Sequence, residues 1–96
     1  MDYEWDEKKR EDNRRYHGLD FFDAFAFDWS QALIKPDDRR DYKEQRYVAM
    51  APIEDRLYVM VYTERQEKTR IISFRKANRR EVRFYVKNQD QDADEG

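Results

Sequence analysis

Thr69-Arg-Ile-Ile-Ser-Phe-Arg-Lys-Ala-Asn-Arg-Arg-Glu-Val-Arg-Phe-Tyr-Val-Lys87 is the stretch whose reading decides the fold. It begins as an extended segment. Side chains alternate along a strand, so Thr69, Ile71, Ser73 and Arg75 fall on one face and Arg70, Ile72 and Phe74 on the other. An isoleucine on each face fits a strand covered on both sides. Asn78, followed three residues later by Glu81, has the spacing of a capping box and predicts a helix start. Val82, Tyr85 and Val86 then supply an apolar stripe at helical spacing, with Arg79, Arg80 and Arg83 near solvent. A strand thus hands over to a helix at Arg75-Lys76, among several guanidinium groups.

Two more strands precede this one. Gln45 to Ala51 alternates Arg46, Val48 and Met50 with Tyr47, Ala49 and Ala51, and Leu57 to Glu64 alternates in the same way. The linking turns, Pro52-Ile-Glu-Asp55 and Arg65-Gln-Glu-Lys68, are short enough to require an antiparallel meander of 45–51, 57–64 and 69–75. Trp29 and Ala32-Leu33-Ile34 read as a further strand, and the charged segment from Pro36 to Lys43 as a loop. Asp20 caps a short helix from Phe21 to about Phe27, whose Phe21, Phe22 and Phe25 read as core. Asp6 caps a first helix from Glu7 to about Tyr16, closed by Gly18 at positive φ. Ahead of it, Tyr3 and Trp5 alternate with acids, as a short edge strand or a docked aromatic end. The expected fold class is α+β: two N-terminal helices, an antiparallel sheet of about four strands, and a C-terminal helix on one face of the sheet.

The chain has 96 residues, enough for one domain, placed at 1–87. Charged residues make up 44%, and the mean hydropathy is -1.32, but seven Tyr, six Phe and two Trp are too many aromatics for a disordered chain. There is no cysteine and one histidine, His17, so a thiolate or His-cluster metal site is ruled out. The sequence calls for no metal and no cofactor. The longest apolar run, Leu57 to Tyr62, is too short to span a bilayer, and no apolar leader opens the chain, which makes the cytoplasm the default location. The net charge of -2 hides an asymmetry: residues 65–87 carry nine bases against two acids, and residues 88–96 carry four acids and no base. The latter read as a disordered acidic tail. The basic segment favours a polyanion, most plausibly nucleic acid.

Several ordered motifs carry a family likeness. Tyr3-Glu-Trp-Asp-Glu-Lys-Lys, Asn13-Arg-Arg-Tyr-His-Gly-Leu19, the Phe21…Phe25…Asp28 segment, Leu57-Tyr-Val-Met-Val-Tyr-Thr-Glu-Arg65 and Arg70-Ile-Ile-Ser-Phe-Arg-Lys-Ala77…Arg80-Glu81 together resemble BrnT-type toxins from about residue 3 to 86. The pattern departs at Asp28-Trp29, where members often have Asp-Pro, and at His17-Gly18-Leu19, where they often have His-Gly-Val. The resemblance implies a RelE-like fold, an mRNA-cleaving toxin that halts growth, and a BrnA-like ribbon-helix-helix antitoxin as partner. RNA is then the substrate, DNA is reached only through the antitoxin, and no membrane is involved.

Cleaving RNA without a metal requires deprotonation of a 2′-hydroxyl, in-line geometry, neutralised charge on the phosphorane and a proton for the leaving oxygen. Guanidinium groups suit the phosphate, being forked and permanently charged. Arg75 and Arg79 flank the strand–helix junction and are expected to converge on one phosphate, with Ser73 two residues back on the face of Arg75 and Arg46 joining from a neighbouring strand if its face matches. Glu64 is the candidate base. His17 titrates in a useful range but sits at a helix end, where a cap or an antitoxin contact competes with catalysis. Arg65, Arg70, Lys76, Arg80 and Arg83 supply the RNA-binding field. The competing function is a non-catalytic RNA- or partner-binding module, or an inactive toxin that serves as the antitoxin's co-repressor.

Overall fold

A computed structural model describes residues 2–95, the side chains of 90–95 excepted. Helix α1, Glu7–His17, starts where Asp6 Oδ1 accepts from the amides of Lys8 and Lys9 at 2.8 and 3.3 Å. It ends at Gly18, whose φ of 70° is the left-handed value a glycine adopts at little cost. Phe21–Ala26 follows as a 3-10 helix, closed at its start by a reciprocal capping box between Asp20 and Asp23. Its three-residue repeat buries Phe21, Ala24 and Phe27 and leaves Phe22 and Phe25 54% and 61% exposed. That corrects the expectation of core roles for Phe22 and Phe25, which follows from an α-helical period. Trp29–Gln31 forms a second 3-10 turn, so Trp29 precedes the next strand instead of belonging to it.

The sheet has five strands in the order β1-β5-β4-β3-β2. They are β1 Tyr3–Trp5, β2 Leu33–Pro36, β3 Arg46–Ile53, β4 Arg56–Arg65 and β5 Lys68–Lys76. The meander β3-β4-β5 is antiparallel as expected, but β1 lies parallel to β5, pairing Tyr3 with Thr69 and Trp5 with Ile71. The sheet is therefore mixed and five-stranded, where about four antiparallel strands were expected. Of the two alternatives read at Tyr3 and Trp5, the short edge strand is the one formed; its parallel pairing with a segment far along the chain has no local signal.

A bulge in β5 reorders its faces. Val61 pairs with Ser73 and Tyr62 with Ile71, so Ile72 has no partner of its own. Thr69, Ile71 and Phe74 share one face, and Arg70, Ser73 and Arg75 the other, correcting the strict alternation. On the first face Phe21, Phe27, Met60, Tyr62, Ile71 and Phe74 form the main core. On the second, Met50, Val59 and Ala77 form a smaller one.

β1 covers only the start of the outer edge of β5. Further along, the buried Asn13 of α1 donates from Nδ2 to the carbonyl of Phe74 at 2.8 Å and accepts from the Phe74 amide at 3.0 Å. A side-chain amide takes the place of a neighbouring strand. The closing helix α2, Arg79–Glu95, opens with the expected capping box: the Asn78 amide donates to Glu81 Oε1 and the Glu81 amide to Asn78 Oδ1, both at 2.9 Å. It runs past Lys87, where the sequence reading ended it. The acidic side chains 90–95, like residue 96, lie outside the described ones, so the tail stands as an expectation. Tyr85 is the α2 residue that packs on the smaller core, its hydroxyl donating to Gln31 O at 2.6 Å, whereas Val82, Phe84 and Val86 are exposed. Among the described residues no helix is long and apolar enough to cross a membrane.

Candidate functional site

The face of the sheet opposite the main core is the basic one. Across its neighbouring strands, Arg46 faces Thr63 and Thr63 faces Arg70, while Lys35 faces Val48 and Val48 faces Val61, next to Ser73. The bulge brings Arg70 to the side of Arg75, and β2 adds Lys35. A cleft of about 480 Å³ opens on this face, with Val48, Met50, Val59 and Val61 as its floor. Lys35, Asp37, Arg39, Arg75 and Glu81 form its walls.

Each guanidinium in the cleft already grips a carboxylate. Arg75 holds Glu81 through two parallel bonds, Nη1 to Oε1 at 2.8 Å and Nη2 to Oε2 at 2.7 Å, the fork geometry it would offer a phosphate. The bond keeps the Glu81 carboxyl below its usual range and raises the affinity of Arg75 for its proton. Arg39 holds Asp37 in the same way, at 2.7 and 2.9 Å. Asp37 is 4% exposed, so its charge is stabilised chiefly by that partner, which keeps its carboxyl low as well. Lys35 Nζ lies 5.4 Å from the centre of the Phe84 ring. Arg46 stacks 4.0 Å over the Tyr42 ring, its Nε 3.3 Å from Glu44, and Arg70 Nη1 is 3.6 Å from Glu4.

Arg46, Arg70, Ser73 and Arg75 therefore share one face, whereas Glu64 does not: it pairs with Thr69, on the side of the main core. The expected convergence of Arg75 and Arg79 is not formed. Arg79 lines a separate hollow of about 320 Å³ with Arg56 and Arg83. Helical geometry explains this, since successive residues turn by about 100°, so Arg79 at the first helical position points well away from Glu81 at the third. Arg65 ends β4 opposite Lys68, and Lys76 and Arg80 are exposed around the start of α2. Ser73 also borders a hollow of about 180 Å³ with Lys9, Tyr16 and His17, so the α1 end is nearer to β5 than the sequence indicates. Lys35, Arg39 and the cleft role of Glu81 escaped sequence reading. The alternation of Leu33 and Lys35 against Met50 and Val48 carried the signal for Lys35. For Arg39, nothing in a loop of mixed charges marks one arginine out.

Residues 5–81 match the family model described as ribonuclease toxin, BrnT, of type II toxin-antitoxin system. The chain belongs to the BrnT family. The match takes in β2 to β5 and the last residue of β1, and ends in the first turn of α2. BrnT proteins are ribonuclease toxins, so RNA cleavage is the activity indicated at the level of the family, and an antitoxin is the partner that a type II system implies. No curated protein matches the chain.

Proposed function

We propose that the chain is a metal-independent endoribonuclease that cleaves mRNA and stops growth until its antitoxin binds, and that the scissile phosphate sits in the cleft before Arg75. The observation that carries this reading is the forked Arg75–Glu81 pair in the wall of a cleft that gathers Lys35, Arg39 and Arg75 with the carboxylates of Asp37, Asp38 and Glu81. A phosphate presents the same paired acceptors as the carboxylate and exchanges with it on Arg75. Arg39 and Lys35 hold the neighbouring phosphates, Arg46 and Arg70 guide the strand across the sheet face, and Ser73 donates to a phosphate oxygen. Glu81, released from Arg75, takes the proton of the 2′-hydroxyl. The 2′-oxygen attacks the adjacent phosphorus, the bond to the 5′-oxygen breaks, and that oxygen takes its proton from solvent. A 2′,3′-cyclic phosphate and a 5′-hydroxyl result.

The test is incubation of the purified chain with single-stranded RNA in excess EDTA. Arg75→Ala removes a preorganised donor to developing charge and is expected to slow cleavage by roughly 10²–10³-fold. An unchanged far-ultraviolet circular dichroism spectrum of Arg75→Ala controls for damage to α2, and Glu81→Gln, which keeps the cap acceptor but cannot take the 2′ proton, should slow cleavage as well. Absence of cleavage by the unmodified chain, or cleavage indifferent to Arg75→Ala, overturns the assignment. RNA binding without product favours the second reading, a binding module or co-repressor, in keeping with a resting state whose arginines are already paired. A BrnA-like ribbon-helix-helix protein as the partner, and the cytoplasm as the place of action, belong to the same proposal.

A further inference from the structure

The first turns of α2 leave a groove against the β3–β4 turn that the proposed chemistry does not use. Two hollows of about 320 and 360 Å³ adjoin here, with Arg56 and Val82 lining both. Its floor is apolar: Ala77, Leu57 and Pro52 on the sheet side, Val82 and Val86 on the helix. The two valines flank Tyr85 on the same helical face, yet remain 39% and 51% exposed. Arg79 and Arg83 stand at one end and Arg56 between the two hollows, and among the described residues none of the three has a carboxylate within ion-pair distance. At the other end are Glu54 and Asp55.

We propose that this groove is the docking site for an acidic amphipathic segment of the antitoxin. This rests on the toxin reading for the identity of the partner, and on the groove itself for the chemistry. Apolar side chains of the segment cover Val82, Val86 and Leu57, and its carboxylates meet the three arginines. Glu54 and Asp55 repel acid at the far end, so the segment's negative charge is confined to one half and its direction is set. RNA fits less well. Phosphates would satisfy the arginines, but bases stack on aromatic faces, and the one aromatic ring of the groove, Tyr85, is packed on the sheet. Docking would also bury the flank of a helix that otherwise holds the sheet mainly through Tyr85.

The experiment uses the full chain and a purified BrnA-like ribbon-helix-helix antitoxin, with calorimetry for affinity and hydrogen exchange for location. Val82→Asp and Arg56→Glu are both surface changes outside the cleft. Each is expected to weaken antitoxin binding by about 30-fold or more, as hot-spot truncations do, while RNA cleavage by the free chain stays within about twofold of the parent. Amides of residues 79–86 should gain protection in the complex, and added salt should weaken it. Unchanged antitoxin affinity in both variants, or protection confined to other elements, overturns the inference. So does a loss of RNA affinity with antitoxin binding intact, which makes the groove an RNA surface. Tight, groove-dependent antitoxin binding by a chain that cleaves no RNA would leave this inference standing and remove the enzymatic reading instead.

Discussion

Replacing Asn13 by alanine removes three hydrogen bonds at once. The side chain donates to Phe74 O at 2.8 Å and Leu19 O at 3.1 Å, and accepts from the Phe74 amide at 3.0 Å. Asn13 is 5% exposed and Phe74 fully buried, so the Phe74 groups find water only through the space the side chain vacates. An orphaned buried donor or acceptor costs about 1–3 kcal/mol. Partial rehydration puts each Phe74 group at the low end, and with the Leu19 carbonyl the total comes to about 3 kcal/mol. Against a typical domain stability of about 5–15 kcal/mol this is a large fraction. At about 4–8 °C per kcal/mol for a domain of this size, the midpoint should fall by roughly 12–24 °C. Urea unfolding with an unchanged m-value measures it, and hydrogen exchange at the Phe74 amide locates it. Asn13→Asp keeps the acceptor but sets a negative charge against two carbonyls, so it should be no milder than alanine. A loss under about 0.5 kcal/mol, or a Phe74 amide protected as before, would refute the reasoning.

Phe21→Ala should cost about 3–5 kcal/mol in the same assay, whereas Phe22→Ala should cost under about 1.5, since the latter loses only exposed contacts, edge-to-face with Trp5 and under the Arg10 guanidinium; equal costs would contradict the 3-10 register. Gly18→Ala should destabilise by about 1 kcal/mol through backbone strain alone, because φ is 70° and nothing lies within 4 Å of the added methyl. Acid should unfold the protein through its bonded carboxylates. The Arg10 guanidinium pulls the Asp20 carboxyl down from 3.8 to about 2, and Arg75 lowers Glu81. Folded values below unfolded ones mean stability that is complete above the unfolded value and lost as pH falls through the folded one. Urea midpoints should therefore stay level down to about pH 5 and drop between about pH 4 and 2, and Asp20→Asn should flatten that limb.

Where a signal was local, the sequence displayed it. Asp6 and Gly18 bracket α1, Asn78 and Glu81 form the expected box, and the short turns at 54–55 and 66–67 imposed the meander. Non-local features were not readable. The parallel strand β1 depends on a partner at the other end of the chain. The bulge at Ile72 broke a rule of two that no residue announces, and with it moved Ile71 away from Arg75 and Arg70 towards it. For the candidate site, alternation puts Ser73 and Arg75 on one face, whereas the face of Arg46, left open in the sequence, follows only from the pairing of β3 with β4. Arg79 does not join them, because proximity in sequence says little about direction around a helix. Glu81 was read as a cap alone, since its second partner depends on how the helix meets the sheet.

That double engagement ties two distant properties together. One carboxylate closes the first turn of α2 through the Asn78 amide and neutralises Arg75 across the cleft. Any anion that wins Arg75 therefore loosens a clamp on the helix, and anything that stiffens the helix start tightens Glu81 on the arginine. By reciprocity, occupancy of the cleft and order in α2 must each register in the other.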